Sequence, residues 1–585
     1  MKPTRLVSRI TVALVFCALF ASAEGLLNSD VSAAPSALTA RDHFAYAVVI
    51  KQSTYDDPAW QAVADALLAR YQGQLFIWDT ALNDVQEDMG AYEPTHIGFV
   101  CEHTTVSQSF VQYTLWPFTR HLDEDIYCDA IWGILTGYDA EDALNLATGP
   151  EGFEVKTVLG GTTSCDLAYY TQGISTSEAT YNRYYVKHPD SLGTTTFDDG
   201  PTDRTEWLVT MINEGIDIFD YDPVDIMYTS GHGNYNNWQL HYPSPDLEGF
   251  FRSSAGQVYG APHSGPDINI NSTNPKIYFG LGNCYIGKIL GSGSMAPSWI
   301  HTGGAHQYTG YVIAEGSTSY QHGATKAYFY KAGRQFTWAE AFYLGNQALR
   351  FDKLNLTPGA NPPDKNGSAL YGNPAMQALM SHEGVYQEPL FSTELLVTQG
   401  STQDTVTFRM TMNRSGNPGY TSKWGERHPA TILPFRARNP EVISTDAMQA
   451  VVMDDFVLLY VWHQGQVSLA EGDTREVVFT TDRDPAGVDE DAPAGMSVPS
   501  LIVRQNDPNP FGPSTRISYT LPERTRACLQ VFDISGRLVE CIVDRVEDAG
   551  EHSVVWDTGN APSGPYFYKL SAGGISVTKR CVALK

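Results

Sequence analysis

Short apolar runs alternate with amphipathic, helix-like stretches from about residue 44 to residue 380. The clearest helical stretch is Trp60–Tyr71, whose apolar side chains recur at helical spacing and so lie on one face. Thr337 and Glu340 have the spacing of a capping box that opens a later helix. The apolar runs have strand length, and we predict strands at Ala45–Ile50, Leu75–Trp78, His96–Val100, Asp225–Thr229, Ile277–Leu281 and Tyr311–Ala314. This alternation is typical of an open, mostly parallel α/β sheet flanked by helices.

The pattern changes after residue 388, where strand-like alternation continues but helical periodicity disappears. Residues 388–483 contain alternating runs such as Thr405–Met410 and Val457–Trp462, which predict a β-sandwich of immunoglobulin-like type. Residues 484–499 are rich in Asp, Pro, Ala and Gly and are predicted to be a linker. Residues 500–585 are predicted to form a second small β-sandwich domain.

The amino-acid composition excludes several classes of protein. The chain has 585 residues, of which 42% are hydrophobic and 12% aromatic. These fractions exclude a disordered or collagen-like chain. Lys and Arg number 38 against 66 Asp and Glu, which gives a formal net charge of −28. Because phosphate groups repel such a chain, the charge argues against nucleic acid or an anionic membrane as a main partner.

The N-terminus has the features of a secretory signal peptide. Basic residues precede the apolar run Ile10–Phe20, and Ala21–Ala23 supplies small residues for cleavage. The apolar run is shorter than the ~20 residues that a transmembrane helix needs, and we expect no transmembrane segment in the mature chain. Residues 1–23 are therefore predicted to be removed, which leaves an N-terminal lead at 24–43.

The end of the chain carries a set of distinctive motifs. They are Asn506–Thr515, Val531–Arg537, Gly550–Asp557 and Ser563–Tyr568. Together they closely resemble the type IX secretion system C-terminal sorting domain, across all of residues 500–585. The resemblance implies a bacterial protein that is exported across the outer membrane, that is secreted or held at the cell surface, and that has the type IX machinery as a partner.

Seven cysteines remain after the signal peptide, an odd number that predicts at least one thiol outside any disulfide. A hairpin that turned at Asp533–Gly536 would pair Phe532 with Arg537. The same register would place Cys528 directly opposite Cys541, so a cross-strand disulfide between these two cysteines is a candidate.

Two predicted strands end in glycine-rich turns that each carry one reactive side chain. The first strand leads into Gly231-His232-Gly233, and the second leads into Gly282-Asn283-Cys284. In an open parallel sheet, ligands bind at the carboxyl ends of the strands. A thiol nucleophile needs an imidazole that exchanges protons with it and with the leaving amine. We therefore predict Cys284 as nucleophile and His232 as general acid/base, with the backbone amides of Gly233 and Cys284 as the oxyanion hole.

Thr229–Gly233 with the later Trp238, followed by Asn283-Cys284, resembles the catalytic core of the gingipain family of cysteine peptidases (family C25, clan CD). Further segments that resemble this family are Trp132–Leu135 with Asp129, Gly303–Thr318, Thr337–Ala341 and Tyr371–Met376. The resemblance covers roughly residues 44–380 and implies a caspase-like fold with subdomains at 44–145 and 146–380. It also implies cysteine endopeptidase activity on protein or peptide substrates, through Cys284 and His232.

Two departures from the gingipain pattern favour a rival interpretation. Ile134 stands where the family often has arginine, and Asn373 stands where it usually has aspartate. The rival is a catalytically inactive surface pseudo-peptidase or adhesin that retains the fold. Retention of both His232 and Cys284 favours the enzyme.

The remaining candidates concern an orienting acid and metal ions. Asp139 and Glu141 are candidates for the carboxylate that orients His232. The proposed chemistry requires no cofactor and no metal. Residues 220–225 contain three aspartates but lack the glycine and closing glutamate of a calcium loop, so a structural calcium is expected only because related peptidases bind it. No His-Glu-x-x-His motif is present in the sequence, which argues against a zinc peptidase.

Overall fold

A computed structural model of the chain describes residues 44–314, 324–355, 366–398, 400, 402–419, 425–482 and most of 502–583. The predicted signal peptide, N-terminal lead and linker lie outside the described residues. The described residues divide into two compact units, the first within residues 44–482 and the second within residues 502–583. Within the described part, no helix is both long and apolar enough to cross a membrane.

The first unit begins with an α/β region. Its strands are β1 (Tyr46–Lys51), β2 (Gln74–Trp78), β3 (His96–Val100), β4 (Ile131–Leu135), β5 (Gly152–Val155), β6 (Thr157–Gly160), β7 (Gln172–Thr176), β8 (Tyr184–Lys187), β9 (Thr195–Phe197), β10 (Ile226–Thr229), β11 (Gly233–Asn234), β12 (Asn237–Gln239), β13 (Phe250–Ser254), β14 (Gln257–Ala261), β15 (Ile268–Asn269), β16 (Lys276–Gly280), β17 (Ala305–Tyr311), β18 (Ser368–Gly372) and β19 (Gln377–Met380). Its helices are α1 (Gln52–Tyr55), α2 (Pro58–Tyr71), α3 (Gln86–Tyr92), α4 (Trp116–Phe118), α5 (Ala140–Thr148), α6 (Thr205–Glu214), α7 (Met295–His301) and α8 (Trp338–Asn355).

Twelve of these strands form one sheet, in the order β2-β1-β3-β4-β18-β17-β16-β10-β6-β7-β8-β9. The strands from β2 to β18 are parallel to one another. β17 is antiparallel to β18 and begins a second parallel set with β16, β10, β6 and β7. The large sheet is therefore mixed, and its two parallel sets run in opposite directions. β8 and β9 extend the second set by antiparallel pairing. An antiparallel sheet, β11-β12-β13-β14-β15, is inserted between β10 and β16.

Local sequence explains where several elements begin. Asp57 caps α2 by accepting a hydrogen bond from the Ala59 N–H at 2.9 Å, with Pro58 in the first turn. The capping box of α8 is confirmed, because the Glu340 N–H donates to Thr337 Oγ1 at 3.2 Å and the Thr337 N–H donates to Glu340 Oε2 at 2.9 Å. α8 therefore starts at the cap that the sequence predicts, whereas α2 starts two residues before the predicted Trp60.

The strand predicted at Tyr311–Ala314 is wrong, since β17 ends at Tyr311. The true strand carries buried polar residues that interrupt the apolar pattern. Gln307 donates to the Asn373 carbonyl at 3.2 Å, and Thr309 accepts a hydrogen bond from Trp338 at 2.8 Å. These two bonds give the buried side chains partners from distant elements, although Gln307 Oε1 has none among the described residues. Polar side chains with such partners can occupy a central strand of the sheet.

The β-sandwich predicted for residues 388–483 forms two antiparallel sheets, and Phe408, Leu459 and Phe479 lie in its core. Its strands are β20 (Phe391–Thr398), β21 (Gln403–Met412), β22 (Ala430–Ile432), β23 (Arg438–Thr445), β24 (Gln449–Val452), β25 (Phe456–Tyr460) and β26 (Thr474–Asp482). The sheet orders are β20-β21-β26-β23 and β22-β25-β24. The sandwich belongs to the same compact unit as the α/β region, since Phe456 and Leu458 join the α/β core.

The second unit consists of two antiparallel sheets. Its strands are β27 (Ile502–Val503), β28 (Ser514–Leu521), β29 (Thr525–Asp533), β30 (Leu538–Glu547), β31 (Gly550–Asp557), β32 (Gly564–Ala572) and β33 (Ile575–Ala583), in the orders β27-β28-β31 and β30-β29-β32-β33. Phe511, Tyr519, Trp556 and Tyr568 lie in its apolar core.

The expected pairing of Cys528 with Cys541 is wrong. Cys528 faces Asp544, and Cys541 faces Gln530. Two register shifts between β29 and β30 displace the pairing that a regular hairpin would give. All seven described cysteines are thiols rather than disulfides. The hairpin residues 534–536 lie outside the described part of the chain.

Candidate active site

The strands that precede His232 and Cys284 are neighbours in the large sheet. β10 and β16 pair in parallel, with Thr229 opposite Gly280. The Leu281 N–H donates to the Thr229 carbonyl at 2.7 Å, which extends the pairing past the strand ends. Because both strands run in one direction, the loops that carry His232 and Cys284 leave the sheet side by side. We call this margin the His–Cys edge; it is formed by the carboxyl ends of β6, β7, β10 and β16.

The buried side chain of Asn283 ties the two loops together. Its Oδ1 accepts a hydrogen bond from Thr229 Oγ1 at 2.8 Å, and its Nδ2 donates to the Gly231 carbonyl at 3.1 Å. Gly231 and Gly282 have φ angles of 85° and 79°, a left-handed conformation that glycine adopts without steric cost. The two glycine turns are therefore fixed relative to each other by one side chain.

Gly233 brings the histidine loop against the cysteine loop. A Cβ atom at this position would lie 3.0 Å from Asn283 Cβ and 3.4 Å from the Cys284 carbonyl oxygen. Gly233 faces Trp238 across the β11–β12 pair, and the Gln239 N–H donates at 3.0 Å to the carbonyl just before Gly233. That bond makes the facing residues a non-hydrogen-bonded pair, whose N–H groups point away from the partner strand. The Gly233 N–H is therefore directed away from β12, as an oxyanion-hole donor requires.

Tyr242 borders His232, and Glu178 borders the loop that precedes it. The rings of His232 and Tyr242 have centroids 5.0 Å apart, with planes tilted by 44°. The Tyr242 N–H donates to the Glu178 carbonyl at 2.7 Å. The Glu178 carboxylate accepts from Thr162 Oγ1 at 2.8 Å and from Ser230 Oγ at 3.5 Å. An aromatic ring and a carboxylate thus flank the loop that carries His232.

Neither Asp139 nor Glu141 is positioned to orient His232. Asp139 caps α5, where it accepts from the N–H groups of Glu141 at 3.0 Å and Asp142 at 3.3 Å. α5 follows β4, which belongs to the oppositely directed half of the sheet and ends at the opposite margin.

Sequence reasoning missed Glu178 and Tyr242. Glu178 lies just beyond β7, whose small and polar residues did not mark it as a strand. Glu178 follows a strand end, as His232 does. Recognition of β7 as a strand would therefore have identified Glu178 as a candidate. No local pattern marks Tyr242, because its contact with His232 depends on the inserted sheet.

The cysteines of the first unit differ in how deeply they are buried. Burial raises the pKa of the Cys101 and Cys165 thiols to about 12 and that of Cys128 to about 11. These three thiols are therefore unreactive at neutral pH. Among the described cysteines of this unit, Cys284 is the one that is half-buried rather than buried. Of these four cysteines, Cys284 is therefore the most accessible to solvent.

The aspartates between residues 220 and 225 do not converge on a metal site. Asp225 accepts from the N–H groups of Lys156 at 2.9 Å and Thr157 at 2.8 Å, and burial raises its pKa to about 6. Asp222 pairs instead with Lys156 at 3.3 Å. Structural calcium therefore has no support from these residues.

Three other aspartate carboxylates do lie close together. One carboxylate oxygen each from Asp123, Asp125 and Asp454 lies within 4.8 Å of the others, a spacing that suits a cation. Arg436, which forms an ion pair with Asp454, already supplies positive charge there. This group lies beside the sandwich, away from His232 and Cys284.

The two departures from the gingipain pattern lie away from the His–Cys edge. Ile134 is buried within β4. Asn373 follows β18, where its Oδ1 accepts from Tyr46 OH at 3.1 Å and its Nδ2 donates to Tyr71 OH at 2.7 Å. Both positions therefore serve packing and hydrogen bonding in the first half of the sheet.

Comparison with known proteins identifies the end of the chain. The family described as the secretion system C-terminal sorting domain matches residues 508–584. The chain carries a type IX sorting domain. This confirms the sequence prediction for the last domain, together with its location: a bacterial protein secreted to the outer cell surface, with the secretion machinery as a partner.

The other comparisons are weak. No curated protein matches the chain. One similar solved structure is PorZ, a surface component of the type IX secretion system of Porphyromonas gingivalis, with 11% identity and a TM-score of 0.12 over 32% of this chain and 30% of PorZ. Another is a polysaccharide lyase, with 9% identity and a TM-score of 0.13 over 39% of this chain and 38% of that chain. The chain thus spans well under half of either protein, and these likenesses bear on neither fold nor function.

Proposed function

We propose that the protein is a secreted cysteine endopeptidase in which Cys284 and His232 form the catalytic dyad. The observation that carries this proposal is the parallel pairing of β10 with β16, which brings two reactive strand ends to one edge. The hydrogen bond from Asn283 to the Gly231 carbonyl supports it, because it fixes one loop against the other. In the same proposal, residues 44–380 have the caspase-like fold of the gingipain family.

The proposed reaction is acyl transfer from a peptide to water. The Cys284 thiolate attacks the peptide carbonyl carbon, and the carbonyl oxygen gains negative charge that the Gly233 and Cys284 amides stabilise. The C–N bond then breaks, and His232 gives its proton to the departing amine, which leaves a thioester on Cys284. Water attacks the thioester with His232 as base, which releases the acid and restores the thiol.

Glu178 and Tyr242 are proposed as positioning residues for His232. Tyr242 packs over the glycine before His232, since a Cβ atom on Gly231 would lie 3.6 Å from Tyr242 Cβ. Glu178 holds Tyr242 through its backbone and borders Ser230 through its carboxylate. We expect Glu178→Gln to lower kcat about tenfold with KM little changed, because it alters the orientation of the base rather than substrate binding.

The enzyme is favoured over an inactive pseudo-peptidase or adhesin. Ile134 and Asn373, the departures that favoured the rival, lie in the first half of the sheet and make structural contacts. They contact neither His232 nor the loop of Cys284 among the described contacts. The residues that the chemistry needs are therefore unaffected by these departures.

A peptide-library hydrolysis assay tests the proposal. Purified mature protein is incubated with a fluorogenic library that samples all residues before the scissile bond, beside Cys284→Ala and His232→Ala. We expect cleavage by the wild type and a loss of at least about 10³-fold in kcat/KM in each variant. Cleavage that persists in Cys284→Ala would exclude this thiol as the nucleophile.

A further inference from the structure

A cavity far from the His–Cys edge has the chemistry of a binding site. It has a volume of about 560 Å³, which lies in the range of small-molecule sites. Its lining includes three aromatic residues, Trp78, Phe110 and Tyr113, and three polar residues, Asn83, Gln86 and His121. We call this cavity the Trp78 pocket.

The Trp78 pocket is remote from the proposed dyad. Trp78 ends β2, the edge strand of the large sheet, whereas Cys284 follows β16. Six strand spacings of about 4.8 Å separate these two strands, which amounts to about 29 Å. The two halves of the sheet also run in opposite directions, so the pocket and the dyad lie at opposite margins. The pocket cannot be part of the proposed active site.

Aromatic rings form one wall of the Trp78 pocket. The rings of Trp78 and Phe110 lie nearly parallel, with centroids 6.4 Å apart and planes 18° apart. Tyr113 is 74% exposed, an unusual position for a large aromatic residue. Phe110 and Tyr113 both lie on a π-helical segment, Phe110–Leu115. Such segments are rare in proteins and occur frequently at functional sites.

Neutral polar groups form the other wall. Asn83 Nδ2 donates to Gln86 Oε1 at 2.6 Å, and Gln86 Nε2 donates to the His121 carbonyl at 2.6 Å. These bonds fix the orientation of both amides and use one N–H of each. A carboxamide has two N–H donors and an acceptor oxygen, so each amide keeps capacity for a further hydrogen bond. Among the lining residues there is no Asp, Glu, Lys or Arg, although the chain as a whole is strongly charged.

We propose that the Trp78 pocket binds a neutral saccharide. The C–H face of a sugar ring packs against aromatic rings, while its hydroxyl groups exchange hydrogen bonds with carboxamides and threonine hydroxyls. An ionic ligand would lose its hydration without gaining a counter-charge. A purely apolar ligand, such as a leucine side chain of a protein, would displace water from the remaining N–H groups of Asn83 and Gln86 and offer no acceptor in return. A protein at the outer cell surface meets glycans in that compartment.

Saturation-transfer NMR on the full mature chain tests this inference. The probes are neutral saccharides (glucose, galactose, mannose, N-acetylglucosamine and its disaccharide), charged glucuronate, and a leucine-rich peptide. We expect at least one neutral saccharide to bind. Tyr113→Ala should weaken binding about tenfold, while Tyr113→Phe, which keeps the ring, should change it less than about twofold.

Two controls make the result specific. Val467→Ala changes a residue that is 90% exposed in the β-sandwich and should leave binding unchanged. Cys284→Ala should also leave it unchanged, which separates this site from the proposed peptidase activity. Absence of binding by every neutral saccharide would overturn the proposal, as would binding of the peptide but of no saccharide. So would wild-type affinity in Tyr113→Ala, or an affinity for glucuronate equal to that for the neutral saccharides.

Discussion

At the scale of single residues, one buried amide links the two reactive loops. Asn283 contacts both the end of β10 and the glycine turn before His232. That the loops of His232 and Cys284 lie side by side could be predicted from sequence, because each loop follows an apolar strand and a glycine. The role of Asn283 could not, since its partners are more than 50 residues away in sequence.

Replacement of Asn283 should uncouple the loops. We expect Asn283→Leu to lower kcat/KM at least tenfold and to reduce the free energy of unfolding by about 1–3 kcal/mol. The substitution leaves the buried Gly231 carbonyl without its donor and leaves the Thr229 hydroxyl with Tyr278 OH as its remaining partner. Asn145→Leu, at an exposed position of α5, is the matched control and should change neither quantity. Full activity of Asn283→Leu would show that the loops hold their positions without this amide.

At the scale of elements, strands with continuous apolar runs and helices with caps could be predicted, and polar or irregular elements could not. The bounds of β3 were predicted correctly to the residue. All of its positions are buried, and all except His96 at its start are apolar or small. β17 was missed because Gln307 and Thr309 are buried with partners from distant elements. The β29–β30 pairing was predicted wrongly because bulges leave no sequence signal at this hairpin.

The capping box makes the start of α8 sensitive to one hydroxyl. Thr337→Ala should lower the free energy of unfolding by about 1 kcal/mol, since the first-turn N–H of Glu340 loses its acceptor. Thr337→Ser keeps the hydroxyl and should stay within about 0.5 kcal/mol of the wild type. Chemical denaturation of the two variants measures the difference. Equal losses would rule out the cap as the cause.

The contact between the α/β region and the β-sandwich contains buried acids that make stability depend on pH. Burial raises the pKa of Asp129 to about 9, with Asp123, Asp125 and Asp455 adding to the increase. Burial and Asp454 raise the pKa of Asp455 as well. The Leu122 N–H donates to Asp129 at 2.8 Å. A neutral side chain that accepts a hydrogen bond therefore suits this position.

The free energy of unfolding should fall as the pH rises from about 4 to about 9. The unfolded chain loses the Asp129 proton near its ordinary pKa of about 4, whereas the folded chain keeps it until about pH 9. The stabilisation is complete below about pH 4 and is lost progressively up to about pH 9. Asp129→Asn should therefore stabilise the protein relative to wild type by at least about 1 kcal/mol more at pH 8 than at pH 4. Urea denaturation at both pH values measures this, with exposed Asp65→Asn as control; a pH-independent difference would contradict the account.

At the scale of the whole molecule, the sequence predicted the order of regions better than their organisation. The sorting domain was found from motifs, and its family match confirms it. The reversal of direction halfway across the large sheet was not predicted, because it depends on β18 crossing to the first half. That reversal determines which strand ends share an edge, and so which acids can reach His232.

The sorting domain should control location and not chemistry. Deletion of residues 500–585 should prevent delivery to the outer surface, since the type IX machinery would lose its recognition element. Immunoblots of medium, surface and cell fractions measure this in the native host. Unchanged surface delivery of the truncated chain would contradict it.

The central claim is that Cys284 is a nucleophile activated at the His–Cys edge. The most direct measurement is covalent labelling of the mature protein with acyloxymethyl ketones that carry Arg, Lys, Asp or Asn, followed by mass-spectrometric mapping. The account predicts that at least one probe modifies Cys284, that Cys284→Ala abolishes the label, and that His232→Ala slows labelling at least about 100-fold. Absence of labelling by every probe, or a label mapped to another residue, would contradict it.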